Sequence, residues 1–403
     1  MALGPIFRST LRNPTGAVLI ALQIALTLAI ASNTFYMVKQ RIDKMNRDTG
    51  VVNAELLTAR VFYFGSAVDQ EAQADIDRKA LMEIPGVKSV SYSNSIPLGG
   101  SNNTSSLCFE QEGSVLGDDN CPHSPSYYRS DVNFHETMGL KLLSGRWLND
   151  SDAIESESIS STASRTMLLS DVLAKLYFPE GSAVGKQLYL GGRPLTVVGV
   201  YERMLRPGSG GTNPDHTILA AEPQTSGYLS IRIESDRIEQ VKEKLEATMV
   251  GLNDQRVVSV IRTLDEVAER TYRRDKAMVV LLLGVVALLL VVTALGVAGL
   301  VSFTVANRKK QIGTRRALGA SKRDILGYFM SENFAITATA LLLGGFLAYA
   351  LNQYLLQSYQ LSRLEVVYVF IAAGCLLFIS QMATLLPALR ASRVSPAIAT
   401  RTV

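Results

Sequence analysis

Four long stretches of this chain, 17–38, 277–306, 333–356 and 366–386, contain no Asp, Glu, Lys, Arg or His. Roughly 20 apolar residues suffice for a helix to cross the hydrocarbon core of a bilayer, so each stretch predicts a transmembrane helix. The first could also be read as a secretory leader, with Arg8 and Arg12 in front and Ala29-Ile30-Ala31 as the cleavage site. Its apolar run continues well past the roughly 7–15 residues of a leader's hydrophobic region, which favours an uncleaved helix.

The polar block 39–276 changes period repeatedly. Residues 55–65 have strand character. Residues 69–84 are helical, with Ile76, Ala80 and Ile84 at helical spacing; Pro85-Gly86 ends that helix, and 87–93 alternates as a strand does. Near the other end, 227–234 alternates and 256–262 is a strand. Between them, 235–250 is an amphipathic helix with Ser235 as its cap and Ile238, Val241, Leu245 and Met249 on one face. Two βαβ-like units thus bracket the block and can pack as one split layer. A mainly β module is inserted between them, with a helix over 171–178 and strands over 187–190 and 195–200 around a Gly191-Gly192 turn. Residues 151–164 and 207–215 are rich in Ser or Gly and are expected to be mobile.

The second apolar run is preceded by 264–276, which holds no Gly or Pro. One rod from Leu264 to about Asn307 is expected. The apolar run alone reaches about 45 Å, against a hydrocarbon core of about 30 Å.

Composition sharpens this picture. Of 403 residues, 47% are hydrophobic and 19% charged, where about 25% charged is usual for soluble domains. Basic residues concentrate in 308–324, RKKQIGTRRALGASKRD. It holds Arg308, Lys309, Lys310, Arg315, Arg316, Lys322 and Arg323 against the single acid Asp324. Arg390, Arg393 and Arg401 follow the last run, whereas 357–365 has only Arg363. Short basic loops stay in the cytoplasm, which places both termini and 308–324 there and 39–276 outside. Lys39, Arg41, Lys44, Arg270, Arg273, Arg274 and Lys276 flank the membrane on the outer side against that rule, which long translocated domains largely escape. The resulting map is a cytoplasmic N-terminus 1–14, helix 15–38, outer domain with stalks 39–272 and helix 273–306. A cytoplasmic coupling segment 307–332, helix 333–356, outer loop 357–365, helix 366–388 and cytoplasmic tail 389–403 follow.

The chemistry is sparse. His123, His135 and His216 are scattered without metal-ligand spacing. GSAVGKQ at 181–187 mimics a phosphate loop, but its glycines are one residue too close and Gln187 replaces the Ser or Thr that holds magnesium. No catalytic, cofactor or metal constellation emerges, so an enzyme is not expected. The apolar runs carry no ionisable group, which argues against an ion-coupled carrier. Gln23, Thr27, Ser32, Asn33, Thr34 and Gln381 suit helix–helix hydrogen bonds, and Gly284, Gly296, Gly299, Gly344 and Gly345 permit close helix contact. Cys108 and Cys121 lie in the outer block, where an oxidising compartment would allow a disulfide worth about 3 kcal/mol; two free thiols are the alternative. Cys375 lies within the fourth run.

Several motifs point further. In the basic segment they are Ile312-Gly313, Arg315-Arg316-Ala317, Gly319-Ala320-Ser321 and Asp324-Ile325, with Glu332 at the start of the third helix. The outer block adds IPGVKSV, SGRW and GSAVGKQLYLGGRPLTVVGV, and the tail adds LLPALRASRVSPAIATR. With one helix, a large domain and three further helices, the chain resembles the MacB/FtsX-like permeases of mechanotransmission-type (type VII) ABC transporters. Gln311 and Ile398 stand where that family usually has Glu.

The resemblance implies an α-helical membrane protein of four transmembrane helices in the bacterial inner membrane. A large α+β periplasmic domain, a split βαβ porter-like part with an inserted mainly β Sabre-like part, would lie between helices 1 and 2. It implies ATPase coupling through Ile312, Gly313, Arg315, Arg316, Gly319, Ser321, Lys322, Asp324, Ile325 and Glu332. Implied partners are a separate cytoplasmic ABC ATPase that carries ATP and Mg, and a second permease copy, identical or paralogous. A periplasmic adaptor and an outer-membrane channel are candidate partners; nucleic acid is not. The implied work is expulsion of a peptide, antibiotic or toxin, with lipoprotein release or control of a cell-wall enzyme as alternatives. The small residues of 313–321 suggest a turn into a surface helix whose Ile325, Phe329 and Glu332 face a partner or the lipid boundary.

Overall fold

A computed structural model describes residues 14–64, 69–100, 102–111, 117–153, 165–208, 210, 213–222, 224–359 and 363–394. The chain divides into two compact units, Arg47–Arg274 and the segments on either side of it.

Helix α1 (Pro14–Met45) belongs to the flanking unit. Within Arg47–Arg274, β1 (Leu56–Tyr63), α2 (Gln70–Met82) and β2 (Val87–Ser93) form one half of a layer. The inserted module follows. It comprises β3 (Leu107–Cys108), β4 (Ser126–Ser130), α3 (Phe134–Met138), β5 (Leu142–Gly145), β6 (Arg165–Ser170), α4 (Asp171–Tyr177), β7 (Gln187–Leu190), β8 (Arg193–Tyr201) and β9 (Thr217–Ala221). β10 (Gly227–Ile233), α5 (Ile238–Leu252) and β11 (Arg256–Thr263) complete the layer.

The two halves interleave. β10 inserts between β1 and β2, and β11 covers the far edge of β1, giving the antiparallel order β11-β1-β10-β2. Neither half buries its sheet face alone: Leu57, Val61, Leu81, Val90, Tyr92, Leu229, Ile231, Val241, Leu245 and Met249 share one core.

Two local expectations are corrected. The buried face of α2 is Gln73, Ala74, Asp77 and Leu81, while Ile76 is exposed. Asp77 is drawn inward by Arg256, the two forming an ion pair with both side chains fully buried. Asp77 also accepts from Tyr92 Oη at 2.8 Å and Gln73 Nε2 at 3.0 Å. Ser235 does not cap α5: Ser235–Arg237 is a 3-10 turn, and the helix starts at Ile238 without a side-chain cap.

Beyond β2 the sheet continues β4-β9-β6-β8-β7-β3, with β5 on β8 and parallel pairs β4·β9 and β6·β8. The step from β2 to β4 rests on one residue pair, Ser93 and Ser130, and the module has its own core around Met167, Leu169, Leu173, Leu188, Val197 and Ile218. Gly191 and Gly192 make the predicted hairpin turn with φ of 57° and 79°, the pair of positive values that a two-residue hairpin loop of this kind demands. Cys108 and Cys121 are joined by a disulfide. Of the two stretches expected to be mobile, 154–164 and residues 209, 211 and 212 lie outside the described residues. Asp150–Asp152 is instead an ordered turn, closed by a reciprocal cap between Asn149 and Asp152. The segment 1–13 with Arg8 and Arg12, and the tail from residue 395 with Ile398 and Arg401, also lie outside the described residues.

α6 (Leu264–Asn307), whose first residues up to Arg274 belong to the Arg47–Arg274 unit, is followed in the flanking unit by α7 (Lys309–Ala317), α8 (Lys322–Tyr359) and α9 (Val366–Ser392). α1, α6, α8 and α9 are long and apolar enough to cross a membrane. α6 is unbroken over 44 residues, as the missing Gly and Pro before residue 277 required.

Some of the polar residues of the apolar helices bond between helices, but Ser32 bonds back within α1, to Leu28 O at 2.7 Å, and Gln381 Nε2 is buried without a hydrogen-bond partner among the described residues. Thr27 meets Thr293 at 3.0 Å, Asn33 Nδ2 donates to Ala348 O at 3.0 Å, and Asn352 donates to Asn33 at 3.2 Å. Asn333 and Thr337 both reach Ser380, at 2.9 Å. Of the five glycines expected at close contacts, two are: a Cβ on Gly344 would lie 2.8 Å from Ala25 O, and one on Gly296 2.5 Å from Gln23 Oε1. Gly284 and Gly299 have nothing within 4 Å. Arg41 and Lys44 on α1 both pair with buried Asp275 on α6, so part of the positive charge that defied the topology rule is neutralised within the chain.

Candidate functional site

The basic segment between α6 and α8 is built as a helix, a tight reversal and a second capped helix. α6 and α7 are separated only by Arg308, whose backbone leaves helical geometry. Its guanidinium donates to both carboxylate oxygens of Glu332 on α8, at 3.1 and 3.0 Å. The reversal after α7 satisfies the last carbonyls. Gly319 N–H donates to Arg316 O and Ala320 N–H to Arg315 O, at 3.2 and 3.1 Å. Gly319 sits at φ +100°, a left-handed position that a side chain would strain. Ser321 then caps α8: its backbone N–H donates to Asp324 at 2.9 Å, and Asp324 N–H returns a bond to Ser321 Oγ at 3.2 Å.

This geometry divides the predicted coupling residues into two sets. Ile312, Gly313, Ile325 and Glu332 are buried. Ile312, Ile325 and Phe329 join Ile20, Ile24, Val297, Val301, Val305, Ala388 and Ala391 in one core. The expectation that Ile325, Phe329 and Glu332 face a partner or lipid is thereby corrected. The expected surface helix and the third apolar helix are one element, α8, and its i, i+4, i+7 stripe packs inward. Arg316 also acts within the chain. Its Nη1 donates to Ser392 O at 2.6 Å and lies 3.5 Å from Val394 O, placing a cation at the negative end of α9.

The second set faces outward. Lys309, Lys310, Arg315, Lys322 and Arg323 are exposed, as are Gly319, Ser321 and Asp324. The Arg315 guanidinium lies over the Tyr328 ring, 4.8 Å from its centre. Among these cations stands Leu318, 83% exposed. Neither Leu318 nor the role of Arg308 as the partner of Glu332 was anticipated from sequence. Only the first left a signal there, as one of two large apolar residues, with Ile312, inside a polar run.

Among the described residues no group of three or more His, Cys, Asp or Glu could hold a metal ion. The histidines pack against rings: His135 stacks on Trp147 at 4.3 Å, and His123 and His216 meet edge-on at 5.1 Å. Burial pushes the His135 and His216 imidazoles below their ordinary value of 6.5.

Residues 17–255 match the MacB-like periplasmic core domain, and residues 283–396 match the FtsX-like permease C-terminal region. The chain is 23% identical over 295 residues to the ABC transporter permease YvrN of Bacillus subtilis (strain 168), covering 69% of this chain and 70% of that one. It is 24% identical over 286 residues to the macrolide export ATP-binding/permease protein MacB of Pasteurella multocida (strain Pm70), covering 68% of this chain and 42% of that one. It is also 24% identical over 280 residues to the pyoverdine export ATP-binding/permease protein PvdT of Pseudomonas fluorescens, covering 67% and 42%. The chain therefore spans less than half the length of these two ATP-binding relatives. The solved periplasmic region of MacB from Actinobacillus actinomycetemcomitans aligns over 56% of this chain and 97% of its own length, at 17% identity and a TM-score of 0.34. With a MacB-like core inserted after its first apolar helix and an FtsX-like region over its last three, the chain belongs to the MacB/FtsX-like permeases of ABC transporters.

Proposed function

We propose that this chain is a mechanical permease subunit, driven by a separate cytoplasmic ABC ATPase that binds ATP and Mg, and that it expels a peptide, antibiotic or toxin. One observation carries the reading. The segment that follows the 44-residue helix α6 is tied to α8 by Arg308–Glu332 and to α9 by Arg316, yet presents five cations and Leu318 outward. A push on such a surface is transmitted to three helices rather than absorbed by a loose loop. In this reading the basic segment and both termini lie in the cytoplasm, the protein sits in the bacterial inner membrane, and a second permease copy completes the assembly. Export by the macrolide and pyoverdine relatives supports the direction of transport.

The test is co-purification with the ATPase. Leu318→Glu combined with Lys322→Glu, both exposed positions, is expected to lower ATPase recovery about tenfold, the effect of losing one apolar contact and one charge pair. The variant chain should keep its melting temperature. Undiminished recovery would overturn the docking role. Arg316→Glu is a poor probe because it breaks the bond to α9.

A further inference from the structure

Asp275 neutralises part of the charge that opposes the topology rule; the rest is concentrated on α6. The helix enters its apolar run at Ala277, and the two turns before it carry Arg270, Arg273, Arg274 and Lys276 against Glu269 and Asp275. Asp275 is buried and held by Arg41 and Lys44, so its charge is already balanced. Glu266, one turn earlier, is committed to Lys242 Nζ at 3.1 Å and to the Thr263 N–H at 3.0 Å. Arg270, Arg273 and Arg274 are all exposed, and none of the three guanidinium groups has a hydrogen-bond or ion-pair partner among the described residues.

These three arginines share one helix face. Residues three and four apart are neighbours on a helix surface, so 270, 273, 274 and 277 form a ridge. It continues through Val280, Leu281, Gly284 and Leu288, all exposed. The buried residues of α6 further along, Val286, Thr293 and Val297, lie on the opposite face. The arginines therefore stand at the end of the apolar ridge that turns away from the helix's own packing partners. At 1.5 Å per residue, Arg273 and Arg274 lie about 4–6 Å beyond Ala277, and Arg270 about 10 Å. The headgroup layer of a bilayer is about 5–8 Å deep on each side, which places two arginines within it and Arg270 at its upper margin.

We infer that this ridge binds anionic lipid in the leaflet it adjoins. A guanidinium fork holds phosphate oxygens in bidentate geometry, and three positive charges favour a headgroup with a net negative charge over a zwitterionic one. The exposed apolar ridge below accepts the acyl chains of the same lipid. A second copy of the chain fits this face less well. A two-fold contact brings a patch onto itself, which would set arginine against arginine at the same height. The inference rests on α6 crossing a membrane and not on ATPase coupling.

The experiment is fluorescence quenching of the full chain in phosphatidylcholine vesicles. Ala277→Trp, at an exposed position on the same ridge, supplies the reporter, and the signal of Trp147 is subtracted with the chain that lacks the substitution. Brominated phosphatidylglycerol should quench the reporter with an affinity about tenfold or more above that of brominated phosphatidylcholine, since each cation near an anionic surface contributes about fivefold. Adding Arg270→Gln, Arg273→Gln and Arg274→Gln together should make the two lipids equal and leave the melting temperature unchanged. The corresponding three changes to Lys should keep most of the preference, because the charge remains. Equal quenching by the two lipids in the chain with its arginines intact overturns the inference and needs no arginine variant. So does a folded Gln variant that keeps the preference, which would assign the lipid to other cations.

Discussion

At the scale of single residues, burial decides more than identity. Asp77 and Arg256 form an ion pair with no solvent exposure on either side chain. Removing one partner strands a charge, so Arg256→Leu is expected to cost roughly 3–5 kcal/mol. Asp77→Leu with Arg256→Leu should recover part of that loss, measured by denaturant unfolding of the full chain; a double variant no better than the single would refute the stranded-charge account. Histidine gives a pH dependence. His135 and His216 are held below 6.5 chiefly by burial, so the unfolded chain binds more protons than the folded one at mildly acidic pH. Their stabilising contribution is present above 6.5 and lost as pH falls through the lowered folded values. The Glu55 carboxylate, held low by hydrogen bonds from Arg232 and Lys88, acts in the same direction further into acid. Melting temperature should therefore fall on acidification from about pH 7.5 to about 5.5, and less steeply in His135→Gln; an equal slope would exclude His135. The sequence showed the 3.6-residue period of α2 but not its inward face. Apolar spacing pointed to Ile76, whereas the partner that pulls Asp77 inside lies 179 residues further along the chain.

At the scale of elements, α6 was the most legible. Nothing between Leu264 and Lys276 breaks a helix, and Thr263 and Glu266 start it with a reciprocal cap, at 3.0 and 3.2 Å. If the helix transmits motion, Val279→Pro should break its backbone at a cost of about 3 kcal/mol. ATPase turnover should then continue while transport stops, with assembly intact. Transport at the normal rate would refute the lever. Glycines were legible only as a class. Gly344→Ala puts a Cβ within 2.8 Å of the Ala25 carbonyl oxygen and should lower the melting temperature by several degrees, whereas Gly284→Ala meets nothing within 4 Å. Gly284→Ala should be neutral or slightly stabilising, by up to about 1 kcal/mol of helix propensity. Equal effects in a thermal assay would show that the α1–α8 approach is not as close as described. Sequence could not separate the two, because the difference is the position of another helix.

At the scale of the whole molecule, the disulfide links stability to compartment. Cys108 and Cys121 are 13 residues apart and buried, and loss of such a bridge is expected to cost about 2–5 kcal/mol. Reduction should lower the melting temperature of the wild-type chain and leave a Cys108→Ser/Cys121→Ser variant unchanged; insensitivity of the wild type would deny the bridge a stabilising role. What the sequence determined by itself was local or one-dimensional. Four uncharged apolar runs are long enough to cross a membrane, an unbroken stretch without Gly or Pro continues as one helix, and motif spacing along the chain identifies the family. The tertiary structure decided the rest. It interleaved two half-layers that neither end could close alone, and it turned Ile325, Phe329 and Glu332 inward. It committed Arg308 and Arg316 to internal partners, leaving Leu318 and five cations as the exposed surface. Those outcomes depend on which groups from distant segments compete for burial and for hydrogen bonds, and that competition has no signature in local sequence.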